Sequence, residues 1–227
     1  MNKTDILLEC IKDKRCKRVV FLAHCILNEN TRYLGGACRH SCVTEILDQC
    51  CEHHIGIIQM PCPEQLAWGG VLKRLLLMAY GVKGAYLYCA RNILIPFILL
   101  YTNLIYHRVA KQTTRQILDY LASGFTVIGI VGIDGSPTCG INKTLDFKKA
   151  FEVLAYIRID SVTTRVANRV VLECLKGGNG LFIRSLQKQL NKRKIELPLY
   201  AHDLVSEIEG KSSNVSLHER GKATCQT

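Results

Sequence analysis

The sequence predicts an α/β fold, a doubly wound and mostly parallel Rossmann-like sheet flanked by helices. Three observations predict it. Short β-branched runs recur without the apolar–polar alternation of a half-solvated strand, segments of helical period lie between them, and each run ends in a loop punctuated by Gly, Pro or Asn.

The first strand is expected at residues 17–23 (KRVVFLA), two basic residues followed by a continuous apolar run that stops at His24 and Cys25. A loop, ILNENTRYLGG, leads into residues 37–54, where Val43, Ile46, Leu47, Cys50 and Cys51 keep helical spacing and place Cys38 and Cys42 on the same helix. Residues 55–60 (IGIIQM) repeat the buried-strand pattern and run into Pro61-Cys62-Pro63-Glu64, where two prolines end the ladder. A helical region is expected from about Val71, a short strand at residues 85–89, and a long helix over 92–122. Residues 125–131 (FTVIGIV) form the third clear strand, followed by the turn-rich segment GIDGSPTCG. The amphipathic pattern of residues 179–192 and the run Leu197-Pro198-Leu199-Tyr200 give a last helix and a last strand. Residues 1–210 read as one domain and 211–227, polar and aperiodic, as a disordered tail.

The 227 residues carry a formal charge of +11, compatible with an anionic substrate, nucleic acid or solubility alone. One basic run, residues 188–194 (KQLNKRK), falls on what reads as the solvated face of the last helix. Aromatic residues make up only 7% and no stacking motif is present, so RNA binding is a weak expectation. The apolar segment 92–106 is broken by Pro96, Thr102 and Asn103 and is shorter than the ~20 residues of a membrane span. No transmembrane segment is therefore expected, although Arg91, His107 and Arg108 flank this stretch as they would at a membrane interface. The N-terminal residues lack a signal-peptide pattern, so a cytoplasmic location is expected, where 12 cysteines point to metal or thiol chemistry before disulfides.

Cys25, Cys62 and Cys139 each lie just past the carboxyl end of an expected buried strand. In an open parallel sheet these loops converge on one crevice, so residues far apart in sequence meet there. Three thiolates suit a soft metal centre, and ligand type leaves an iron–sulfur cluster and zinc both open.

The words around these cysteines resemble the 2-thiouracil desulfurase family: VFLAHCILNENTRY, PCPEQLAWGG and GIDGSPTCG in order at three strand ends, with GLFIRSLQKQLNKRKIELPLYAHDL similar to the family's final helix and strand. The resemblance implies a 4Fe-4S cluster bound by Cys25, Cys62 and Cys139, with one iron left open to sulfur. It also implies catalytic roles for Glu64, of the CPE motif, and Ser136, of the SPxC motif. The expected activity is desulfuration of a small thiolated heterocycle or thionucleotide, C=S becoming C=O. Two features depart from shorter members, NENTRYLGG in place of an RYDG-like turn and VLKR in place of a PTPR-like segment, and the long apolar insert 84–122 resembles a longer branch of the family. Arg32, Tyr33, Trp68 and Arg74 are expected near the pocket wall, and His24 adjoins a ligand position. Competing readings are a cluster- or zinc-containing RNA-binding or redox-sensing protein, and a sulfur carrier without turnover.

Overall fold

A computed structural model describes residues 6, 10–11, 13–75, 81–211, 215 and 217. Its centre is a four-stranded sheet in the order β2-β1-β3-β6, parallel at every pairing. The elements run β1 (Arg18–Leu22), α1 (His24–Leu27), α2 (Thr44–Glu52), β2 (Gly56–Gln59), α3 (Pro63–Ala67), α4 (Arg91–Ala122) and β3 (Thr126–Asp134). They continue with β4 (Lys143–Leu145), α5 (Phe147–Leu154), α6 (Thr164–Glu173), β5 (Leu175–Gly177), α7 (Leu181–Asn191), β6 (Leu199–Asp203) and α8 (Leu204–Ile208). The expected α/β class is the observed one.

The central strands are buried because their sequences leave nothing to solvate. Val19 to Leu22 of β1 and Val127 to Asp134 of β3 are all buried. Between β1 and β3 the register shifts at Val19/Val20, and Gly129 stands beside the bulge with φ 157°. A Cβ at Gly129 would come within 2.5 Å of the Pro198 carbonyl oxygen, so only glycine lets the chain preceding β6 approach this closely. From Thr102 onward α4 packs into the core through Tyr106, Val109, Ala110 and Ile117, and α7 does so through Phe182, Ile183, Leu186 and Leu190. A second, smaller apolar cluster forms where α5 and α6 meet, and the antiparallel β4–β5 pair lies beside it.

Two expectations need correction. The helix expected over 37–54 begins only at Thr44, and Cys38 and Cys42 lie in coil. Its first turns are lost because the Glu29 carboxylate captures the backbone N–H groups of Cys38 and Arg39, both at 2.8 Å. The strand expected at 85–89 is a series of turns ending in a 3₁₀ helix at Tyr88–Ala90. Just before it, Lys83 forms an isolated bridge with Arg158. The helical region expected from about Val71 is seen at Arg74 and Leu75 after three turn residues, and residues 76–80 lie outside the described residues. Most of the expected disordered tail lies outside them too. Within it Val215 and Leu217 are buried, the Val215 carbonyl accepting from Gln49 Nε2 at 2.6 Å and the Leu217 N–H donating to Gln49 Oε1 at 3.1 Å.

Candidate functional site

The chain steps from β1 to β2 on one side, then crosses to β3 on the other, so the loops after β1 and β3 part and leave a crevice between them. A pocket of about 460 Å³ opens there, and Cys25, Cys62, Cys139, Glu64 and Ser136 all line it. Cys25 sits on α1, directly after β1. Cys62 caps α3, its sulfur accepting from the Gln65 N–H at 3.4 Å, with Pro63 set at the first helical position where no N–H is needed. Cys139 closes the turn after β3.

That last turn is built from inside. Asp134, at the end of β3 and 5% exposed, accepts on Oδ1 from the backbone N–H groups of Ile141 (2.9 Å), Asn142 (2.8 Å) and Lys143 (3.2 Å). Its Oδ2 accepts from Asn142 Nδ2 at 3.0 Å. The Ser136 hydroxyl oxygen accepts from the N–H of Thr138 (3.2 Å) and of Cys139 (3.1 Å), leaving its own proton to donate into the pocket. The turn folds back so tightly that a Cβ at Gly132 would meet the Cys139 carbonyl oxygen at 2.2 Å. Cys139 is therefore held by its backbone before any ligand arrives.

Glu64 is fixed at both oxygens. Oε1 accepts from Thr138 Oγ1 at 2.7 Å, and the Thr138 oxygen in turn lies 2.8 Å from Tyr106 OH, so Tyr106 donates to Thr138 as Thr138 donates to Glu64. Oε2 lies 2.5 Å from Lys73 Nζ. Lys73 is only 5% exposed. Burial by itself would lower its pKa, but the opposed charges of Glu64 and then Cys62 outweigh it and hold the ammonium above its usual range. The three thiols shift the other way. Burial, and next the neighbouring Cys62, push Cys25 up to about 12, and burial followed by Cys25 and Cys62 raises Cys139 well above the ordinary range. Cys62 is raised chiefly by burial and then by Glu64. His24, half-buried at the rim, is lowered mainly by burial.

Of the expected wall residues, Arg32, Tyr33 and Trp68 line the pocket, and Arg74 is exposed outside it. The neighbouring lysine, Lys73, takes the inward position instead, its backbone at φ 51° after two glycines of positive φ. Tyr33 OH donates to Asn168 Oδ1 at 2.8 Å, tying the first loop to α6. Arg32 belongs to a buried ionic cluster. Its Nη1 contacts Glu207 Oε2 at 2.7 Å and its Nη2 lies 2.9 Å from Glu29 Oε1. Arg39 adds contacts to Glu207, to Glu29 and to Glu45, and His202 Nε2 lies 2.7 Å from Glu207 Oε1. The cluster pins the segment after Cys25 to β6 and α8. The opposite wall is apolar: Phe147, Ala150, Phe151 and Leu154 of α5 face Val166 and Val170 of α6.

Among the described residues no three His, Cys, Asp or Glu side chains form a group able to hold a single metal ion. The chain matches no family profile, no curated protein and no solved structure.

Proposed function

We propose that the chain is an iron–sulfur-dependent desulfurase acting on a small thiocarbonyl heterocycle of the thiouracil or thionucleotide kind. The observation that carries this reading is the convergence of Cys25, Cys62 and Cys139 from three adjacent strand ends on one pocket, beside a glutamate clamped at both oxygens.

Cys25, Cys62 and Cys139 would hold the 4Fe-4S cluster. When bound, it supplies a thiophilic Lewis-acid iron that three protein ligands leave open. The protein does the rest. The apolar faces of α5 and Trp68 enclose a flat ring and exclude bulk water. Ser136 donates its hydroxyl proton to a ring nitrogen or oxygen and sets the orientation of the ring. Glu64 accepts a proton from the attacking water, with Thr138 and Lys73 keeping its carboxylate in place for the transfer. The net change replaces C=S by C=O, water providing the oxygen and the sulfur leaving as sulfide.

Anaerobic iron and sulfide quantification with an absorption spectrum tests the reading. Wild type is expected to hold about four irons and four sulfides per chain. Cys139→Ala should lose them, and Cys174→Ala, which alters a buried cysteine outside the pocket, should retain them. Release of sulfide from 2-thiouracil should then depend on Glu64. Wild type that stays free of iron after anaerobic reconstitution would overturn the proposal.

A further inference from the structure

The long helix α4 has two unlike halves. From Thr102 on it is core, whereas none of residues 91–101 is buried, although that half reads RNILIPFILLY. Apolar side chains stand in solvent there, Ile93 67% exposed, Phe97 66% and Leu100 59%, and on the outer face of the second half Leu104 follows at 63%. Their spacing of three and four residues makes one stripe. The same stripe continues down the helix as Arg108, Lys111 and Arg115, all exposed.

The charge along this stripe is mostly of one sign. Residues 65–118 contain seven Lys and Arg (73, 74, 83, 91, 108, 111 and 115) and no Asp or Glu, and the first acid, Asp119, stands one turn past Arg115. Lys73 is consumed by Glu64, and the other six remain at or near the surface. Tyr86, 91% exposed, and Tyr88, with the Arg91 guanidinium 4.9 Å from its ring centre, add the amphipathic aromatics typical of a bilayer boundary.

We propose that this face seats the protein on an anionic phospholipid surface. The apolar part of the stripe, Ile93 to Leu104, is about 17 Å long, too short to cross a hydrocarbon layer ~30 Å thick. By length and composition the whole helix is apolar enough to span, but its second half is committed to the core. Lying in the plane of the interface, the helix sets the apolar part of the stripe against the acyl chains, with Arg108, Lys111 and Arg115 on the same face and Arg91 at its other end meeting the headgroups, the arrangement of an interfacial helix. A second copy of the chain supplies no such counter-charge. Aligned stripes would set Arg108, Lys111 and Arg115 against themselves, and opposed stripes would set them against Phe97 and Ile93.

Flotation of the full chain with vesicles tests this, comparing phosphatidylcholine alone with phosphatidylcholine containing about a third phosphatidylglycerol. Binding is expected to the anionic vesicles only and to weaken with salt. The triple variant Arg108→Gln/Lys111→Gln/Arg115→Gln should lose about fivefold in partitioning per charge removed. Phe97→Asp/Leu104→Asp should abolish binding while its circular dichroism melt stays that of wild type, because both positions are exposed. Three results would overturn the proposal: no flotation of wild type, flotation that survives the Phe97→Asp/Leu104→Asp change, or a concentration-dependent dimer or acidic-protein complex that this variant dissolves in place of vesicle binding.

Discussion

Lys73 Nζ lies 2.5 Å from Glu64 Oε2, nine residues away across a loop of two glycines, and both side chains are almost withdrawn from water. The pair sets the charge balance of the pocket. Removing one partner of a buried pair leaves the other uncompensated, whereas removing both can be nearly neutral. Lys73→Met is therefore expected to destabilise by about 3–5 kcal/mol, and Lys73→Met/Glu64→Gln by much less. Urea unfolding of the two variants beside wild type checks it, and equal losses would show that the pair does not couple. In the single variant sulfide release from 2-thiouracil should fall about a hundredfold or more, as for loss of a positioned general base.

The Cys139 turn hangs on Asp134. Asp134→Ala strands three backbone N–H groups that now share one carboxylate oxygen, an expected cost of about 3 kcal/mol. Iron content after reconstitution should drop with it. Thermal melts and iron analysis on the same preparation separate the two effects, and full iron content in a destabilised protein would show that the turn does not need this support.

Gly132→Ala probes the same turn from the strand side. The added methyl would meet the Cys139 carbonyl and the Ile141 side chain at under 3 Å, so the turn must shift. The expected cost is about 1–3 kcal/mol, with loss of bound iron. A variant that melts and loads as wild type would mean that the Cys139 carbonyl can move away freely.

His202 makes stability depend on pH. The nearby Glu207 carboxylate would favour an imidazolium, but it is already shared by two guanidiniums. Burial first, then Arg32 and Arg39, press His202 down to about 4. The unfolded chain takes up this proton near pH 6.5 and the folded one only near 4, so stability is complete above 6.5 and falls as the pH drops between those values. The loss should approach about 3 kcal/mol at pH 4. Urea midpoints from pH 7 to 4 measure it, and His202→Gln should flatten the slope in this window.

The strands and the three cysteines were legible for one physical reason. A parallel strand buried on both faces must be continuously apolar, and its end must be marked by residues that stop a ladder, so Cys25, Cys62 and Cys139 stand beside visible punctuation. Lys73 was not legible. A lysine in a glycine-rich loop reads as solvated, and only the fold shows that Glu64 waits beneath it. The same holds for the lost first turns of α2, because the competitor for their backbone N–H groups, Glu29, lies nine residues upstream of Cys38. The α5 wall did leave a signal. Phe147, Ala150, Phe151 and Leu154 fall at i, i+3, i+4 and i+7 behind the N-cap Asp146, in a helix too short to stand out from the basic residues around it.

Trp68 is the sole tryptophan of the chain, 2% exposed, with its indole N–H on Thr102 Oγ1 at 2.9 Å and its ring edge-on to Phe147 at 5.3 Å. It lines the pocket and also touches the helix whose outer half stands in solvent. The molecule thus carries its own optical gauge. An iron–sulfur cluster, if held there as proposed, would absorb where indole emits, so its loading would read as quenching of a single, blue-shifted fluorescence band, without a label and in intact protein.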